Sequence, residues 1–150
     1  MQGFVCVLNI RDAAVRDGEE IAALWRDCGL VVSYNDPAAD LRFALEGACS
    51  TVLVATQEQG RIIGSVMAGH DGHRGWLYYV ATAPDCRGQG VGQQMVKAGE
   101  DWLRARGVRK VQLLVRKSNQ QVLSFYERLG FAEASVVMMS RWLTEPEIAS

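Results

Sequence analysis

The residues best placed to hold a ligand lie in one run, Arg87-Gly88-Gln89-Gly90-Val91-Gly92, where three glycines fall within five positions. Glycine lets the backbone approach a ligand closely and turn through positive φ. The residues from Gly90 onward have helical period, so the run ends on a helix N-terminus, whose unpaired N–H groups and partial positive charge suit a pyrophosphate. Two familiar nucleotide loops do not fit. A dinucleotide loop needs a third glycine where Gln93 stands, and a phosphate-binding G-K-[ST] loop needs a lysine that is missing after these glycines. A glycine-rich structural turn explains the cluster equally well.

Other chemistry-bearing residues are sparse. The cysteines Cys6, Cys28, Cys49 and Cys86 form no C-x-x-C pair and have no histidine at zinc spacing, so no metal site is expected. Cys86 borders the glycine run, but neither histidine lies close to it in sequence, and a buried thiol is the simpler reading than a nucleophile. Both histidines occupy one turn, His70-Asp71-Gly72-His73-Arg74-Gly75. Asp-Gly is ordinary turn chemistry, yet the turn is richer in donors than a hairpin requires. Asn35-Asp36-Pro37 suits a helix entry and also offers a carboxylate to an amine. Asp36 and Asp71 are therefore candidates for binding a positively charged group. By strict alternation, Trp76 and Tyr78 share a face with Val80 and Thr82, where two aromatic rings could wall a cation or simply pack.

These residues must be positioned by a recognisable order of elements. A first strand is expected over Val5 to Ile10 and a helix over Asp17 to Cys28, closed by Gly29. A second helix should enter at Pro37 and run to about Glu46. Strands are expected over Thr51 to Thr56, Ile62 to Ala68 and Trp76 to Thr82, joined by hairpin turns. A long helix over Gly90 to Arg106, a strand over Arg109 to Arg116 and a helix over Asn119 to Leu129 follow. One or two closing strands are expected within Phe131 to Trp142, and a polar, frayed tail from Thr144 to Ser150. The order predicts an α/β domain with a mixed sheet, antiparallel in its first part and with a later parallel pair.

Composition bounds the function class. A chain of 16.5 kDa, 49% hydrophobic and 22% charged, is the size and make-up of a single domain, here residues 1–150. No apolar run reaches the ~18 residues that span a bilayer, and Met1-Gln2-Gly3-Phe4 does not read as a signal peptide, so a cytoplasmic protein without a membrane partner is expected. The net charge of −1 argues against a nucleic-acid partner. Residues 1–75 hold six Arg against ten acids, and residues 76–150 hold ten Lys and Arg against seven. That asymmetry suits an anionic ligand on the second half and a cationic one on the first.

Two blocks together resemble the GNAT N-acetyltransferase family. Arg87-x-x-Gly90-x-Gly92, after the strand end Val80-Ala81-Thr82-Ala83-Pro84, is similar to its motif A, [QR]-x-x-G-x-[GA]. Asn119, then Phe125-Tyr126-Glu127-Arg128-Leu129-Gly130-Phe131, looks like its second signature at the usual separation. Within the family, Trp25, Asn35-Asp36-Pro37 and the turn from Asp71 to Gly75 resemble the YpeA group. The overall pattern is similar, more distantly, to the ribosomal-protein N-terminal acetyltransferases. The resemblance implies a GNAT fold with a mixed six- to seven-stranded sheet flanked by about four helices.

It also implies roles. Acetyl-CoA would be the cosubstrate, without a metal. Val80, Ala81 and Thr82 would pair with its pantetheine arm and acetyl group, and a strand N–H would polarise the thioester carbonyl. The amides of Gly88, Gln89, Gly90, Val91, Gly92 and Gln93, beside Arg87, would take the pyrophosphate, and Asn119 would contact the cofactor arm. Tyr126 would protonate the departing thiolate, although from residue pattern alone it reads as core packing with Val122 and Leu129. Family members often carry a Glu or His as general base at positions matching Trp76, Tyr78 or Leu114, none of which is a carboxylate or imidazole here. The acceptor, a small-molecule amine or a protein N-terminus, would meet Asn35, Asp36, Asp71, His73, Trp76 and Tyr78. Direct attack in a ternary complex needs no covalent acetyl-enzyme. An acyl-CoA-binding module or sensor without turnover is the alternative. Val136 to Met139, with Trp142, is apolar enough for a dimer edge, so a monomer or a homodimer fits the sequence.

Overall fold

The computed structural model describes residues 8–146. Its elements are β1 (Asn9–Asp12), α1 (Gly18–Asp27), α2 (Pro37–Glu46), β2 (Ser50–Thr56), β3 (Ile62–His70), β4 (Gly75–Thr82), α3 (Val91–Arg104), β5 (Val111–Gln112) and α4 (Gln120–Arg128). One sheet holds the strands in chain order, with the first four antiparallel and β5 parallel to β4. The expected α/β class, mixed sheet and four helices are all present. Two short 3-10 turns, Val15–Asp17 and Pro84–Cys86, lead into α1 and towards the glycine run.

Local chemistry explains the boundaries. Asp36 caps α2, its side chain accepting from the amides of Ala38 and Ala39, and Pro37 fills the first turn. Gly29, at φ +70°, and Gly107, at φ +80°, stop the chain from continuing α1 and α3. Burial then fixes the layers. Ile21, Leu24 and Trp25 of α1 and Leu41 of α2 are buried in the common core; Val91, Met95, Val96 and Leu103 of α3 are too. Gly64, Gly75 and Gly99 mark the α3 side: a Cβ on Gly64 would stand 2.7 Å from Val91, and one on Gly99 2.8 Å from Leu77. Helix and sheet approach as closely as they do because those Cβ atoms are absent.

Three expectations need correction. The first strand lies later than expected, at Asn9–Asp12, while residues 1–7, including Cys6, fall outside the described residues. The strand expected over Arg109 to Arg116 shrinks to Val111–Gln112. The sheet has five strands rather than six or seven, because Phe131 to Trp142 forms none. There, Val136, Val137, Met138 and Met139 are 81%, 88%, 64% and 91% exposed. An apolar, β-branched run becomes a strand only beside a partner, and β5 offers too short an edge to supply one. Residues 144–146 of the expected frayed tail carry no regular structure, and 147–150 lie outside the described residues.

Candidate active site

The sheet opens next to the glycine run. β5 accompanies β4 only at Gly75↔Val111 and Trp76↔Gln112, so the edge of β4 from Leu77 to Thr82 has no strand neighbour on that side. An unpaired strand edge presents backbone donors and acceptors to an extended ligand. Val80, Ala81 and Thr82 lie on this edge and run into the glycine loop.

The loop itself is shaped for an anion. Gly88 and Gly90 sit at φ +79° and φ +80°, and a Cβ at either would meet nothing within 4 Å, so the surface before their amides is open. Arg87, Gly88, Gln89 and Gly90 are exposed. Gly90 is the N-cap of α3 without a side-chain cap, and the first bond of the helix is from the Gln94 amide to the Gly90 carbonyl. The amides of Val91, Gly92 and Gln93 are therefore left by helix geometry without an intrahelical acceptor. A phosphate group fits such a donor set. Arg61 clamps the loop entry, its guanidinium donating to both oxygens of Asp85 at 2.9 and 2.8 Å.

α4 closes on the same place. A Cβ on Gly92 would lie 3.2 Å from Cζ of Phe125 and 3.4 Å from Oγ1 of Thr82, so strand end, loop and helix meet there. Tyr126 packs edge-on against Phe125 and Phe131, with ring centroids 5.0 and 5.5 Å away. Burial pushes its phenol up to about 12. Asn119 caps α4 by accepting from the Val122 amide at 3.3 Å, which leaves its amide NH2 as a donor.

Alternation along β4 does not run as the sequence suggests. Ser65 pairs with Ala81 but Met67 pairs with Tyr78, so Val66 faces two residues, Tyr79 and Val80. This is a bulge. Leu77 and Thr82 face α3, whereas Tyr79 stacks on Trp25 of α1. Trp76 and Tyr78, stacked with centroids 6.4 Å apart, thus lie on the α1 and α2 face, away from Thr82. The shared face expected for Trp76, Tyr78, Val80 and Thr82 is broken by that single extra residue.

Tyr79 is the residue that the sequence did not reveal. Among the described residues it alone has positive φ without being glycine, at +50°. Its carbonyl accepts from the Ser65 hydroxyl at 2.8 Å, and Ser65 accepts from the Trp25 indole N–H at 2.9 Å. Its own hydroxyl donates to Oδ2 of Asp40 at 2.6 Å. Burial and then Asp40 hold its phenol far above the ordinary tyrosine range, with Asn35 pulling the other way. Two adjacent aromatics in a strand, Tyr78 and Tyr79, were the available signal.

The remaining acceptor-side candidates are dispersed. Asn35 is half-buried beside Tyr79, and Asp36 is engaged at the head of α2. Asp71 accepts from the amides of His73 and Arg74 at 2.9 and 2.7 Å and from the Trp76 indole at 3.4 Å. These bonds hold its carboxyl below the usual range. His70 accepts from the Gly72 amide, and His73 is exposed. That turn stands at the far end of β4, roughly 15 Å from Tyr79 at strand rise. An open hollow of about 420 Å³, lined by Phe43, Glu46, Cys49 and His70 among others, lies at that end too. Leu114 is 51% exposed. Cys86 is buried and Cys28 donates to the Thr82 carbonyl at 3.2 Å. Among the described residues no group of three or more His, Cys, Asp or Glu could hold a metal ion, and no helix is long and apolar enough to cross a membrane.

Known proteins share this arrangement of elements. The model of the acetyltransferase (GNAT) family matches residues 18–131. Among solved structures, AAC(6')-Iy in complex with the bisubstrate analogue CoA-S-monomethyl-acetylneamine superposes with a TM-score of 0.77 at 21% identity. That match covers 92% of this chain and 99% of the other. An aminoglycoside acetyltransferase from an uncultured soil metagenomic sample, in complex with sisomicin, gives 0.75 at 20% identity, over 91% and 97%. A transcriptional regulator from Bacillus halodurans C-125 gives 0.72 at 23% identity, over 91% and 100%. At these identities the structures share the fold.

Proposed function

Because the chain belongs to the GNAT acetyltransferase family, we propose that it moves an acetyl group from acetyl-CoA to an amine by direct attack in a ternary complex. The observation that carries this reading is the unpaired edge of β4 running into the open, positive-φ loop at the head of α3. Val80, Ala81 and Thr82 hold the pantetheine arm and acetyl group along that edge. The amides of Gly88 to Gln93, with Arg87, hold the pyrophosphate, and the Asn119 amide donates to the arm. A strand N–H takes the charge that develops on the thioester oxygen. The neutral amine nitrogen bonds to the acetyl carbon, the carbon–sulfur bond breaks, the thiolate takes a proton from the Tyr126 hydroxyl, and the proton shed by the new amide nitrogen passes through solvent to restore the phenol. A phenol raised to about 12 keeps that proton until position, rather than acidity, releases it.

The acceptor we favour is a small compound carrying more than one amino group. Support comes from the aminoglycosides that two of the structural neighbours are described with or named for, and from the acidic first half of the chain. A protein N-terminus is the competing acceptor. Kinship to the YpeA group rests on Trp25, Asn35-Asp36-Pro37 and the turn from Asp71 to Gly75, and kinship to the ribosomal-protein enzymes on the overall pattern alone. The test is calorimetric titration with acetyl-CoA followed by thiol release against a panel of amines. Binding with turnover supports the reading, and absence of binding removes it.

The second reading is an acyl-CoA-binding module or sensor without turnover. It is favoured by Trp76, Tyr78 and Leu114, where the family often has a base. Acetyl-CoA binding with no thiol release for any amine or peptide would select it.

A further inference from the structure

The bulge at Tyr79 is held from three elements at once, by Trp25 of α1, Ser65 of β3 and Asp40 of α2. A left-handed backbone is costly for a residue with a Cβ, and glycine would take the bulge without strain. A tyrosine kept there points to a use for its side chain. That side chain ends on Asp40, a half-buried carboxylate. Among the described residues the ion pairs are Arg11–Asp17, Arg61–Asp85, Lys97–Asp101 and Arg104–Asp101, and none includes Asp40. Its one side-chain hydrogen bond is from the Tyr79 hydroxyl to Oδ2, so Oδ1 retains its full capacity to accept. The phenol oxygen, having donated its proton, has Asn35 as a donor and a further lone pair beside Asp40. Half-buried negative charge without a cationic partner favours recruiting one.

We propose that Asp40 and Tyr79, with Asn35 beside them, form the docking point for a primary ammonium group of the acceptor. The inference rests on the acetyl-transfer reading and deepens it. Tyr79 immediately precedes Val80 to Thr82, so an acceptor anchored there by one ammonium group would present a second, neutral amino group to the edge assigned to the thioester. Asp36 is exposed at the head of α2 and Asp71 stands at the far end of β4, so Asp40 is the half-buried carboxylate that meets Tyr79. Asp40 and Tyr79 are positioning residues: they fix the ammonium group, and neither exchanges a proton with it in this proposal.

The test uses Asp40→Asn, which keeps the shape and removes the charge, and Tyr79→Phe, which keeps the ring on Trp25 and removes the hydroxyl. Acetyl-CoA affinity is measured by calorimetry. Spermidine and sisomicin are then titrated by tryptophan fluorescence with and without acetyl-CoA, and KM and kcat follow for whichever amine turns over. The expected result is amine Kd and KM raised tenfold or more in Asp40→Asn and severalfold in Tyr79→Phe, with kcat less affected and acetyl-CoA Kd within twofold. Unchanged amine affinity in both variants overturns the proposal. So does a wild type that binds neither amine, or a loss of acetyl-CoA affinity as large as the loss for amine. Failure of the wild type to bind acetyl-CoA removes the transferase reading instead, and the amine titration without acetyl-CoA still reports on the pair.

Discussion

The rings of Trp25 and Tyr79 lie 3.8 Å apart with their planes 10° from parallel, joining α1 to the bulge of β4. Ser65 bridges the same two residues through hydrogen bonds, and both Trp25 and Ser65 are fully buried. Ser65→Ala should leave the indole N–H and the Tyr79 carbonyl without their partner. The expected loss is about 1–3 kcal/mol, read as a lower urea midpoint at constant m-value. A change below about 0.5 kcal/mol would mean the bulge does not depend on this link.

Gly88→Ala and Gly90→Ala place a Cβ on backbone that only glycine adopts freely. Each should lower stability by about 1 kcal/mol, and acetyl-CoA affinity should fall at least tenfold as the loop changes shape. Thermal unfolding and calorimetry would check the two effects separately. Full affinity in both variants would show that the loop is not the pyrophosphate site.

Tyr126→Phe should reduce kcat about a hundredfold while acetyl-CoA still binds. The same residue sets an alkaline limit on stability. Its folded phenol titrates near 12 against about 10 when unfolded. The raised value means that its contribution is fully present below pH 10 and is lost as pH rises through 12. The variant should therefore lose less stability than wild type between pH 10 and 12, measured by denaturant unfolding. Equal losses would place Tyr126 in water rather than against Phe125 and Phe131.

Asp17 titrates in the opposite direction. It accepts from both terminal nitrogens of Arg11 at 2.8 and 3.0 Å and from the Ala14 amide at 2.8 Å. Arg11 chiefly holds its carboxyl below the ordinary range, against desolvation. A depressed value gives stability that is present above the unfolded value near 4 and lost as pH falls below it. Asp17→Asn should cost about 1–3 kcal/mol at pH 7 and flatten the acid limb below pH 4. An acid limb identical to wild type would assign that sensitivity to other carboxylates.

Much of the fold and of the loop was legible in the chain because local rules decided it. Pro37 after Asp36 marked the head of α2, and the glycine run marked the head of α3. The two hairpins followed from turn residues between β-branched runs. Three features depended on tertiary context instead. The closing strands over Phe131 to Trp142 had strand composition but no ladder to join. Tyr79 upset alternation by occupying an extra position, which a strict period of two cannot register. Asp40 sat unremarked on α2 because its significance lies in meeting Tyr79 across 39 residues of sequence.

The extra residue in β4 also sets how this gene can tolerate changes in length. Deleting Tyr78 or Tyr79 would remove the extra residue and leave the other side chains in their layers, whereas a codon lost elsewhere between Trp76 and Thr82 would turn the side chains between the cut and the bulge to the opposite layer. The turn from His70 to Gly75 carries no such phase, so a codon lost or gained there only reshapes a connection. A library of single-codon deletions across residues 62–90 should therefore show an intolerant interval within β4, interrupted at Tyr78 and Tyr79 and flanked by a permissive hairpin tip at Asp71 to Arg74.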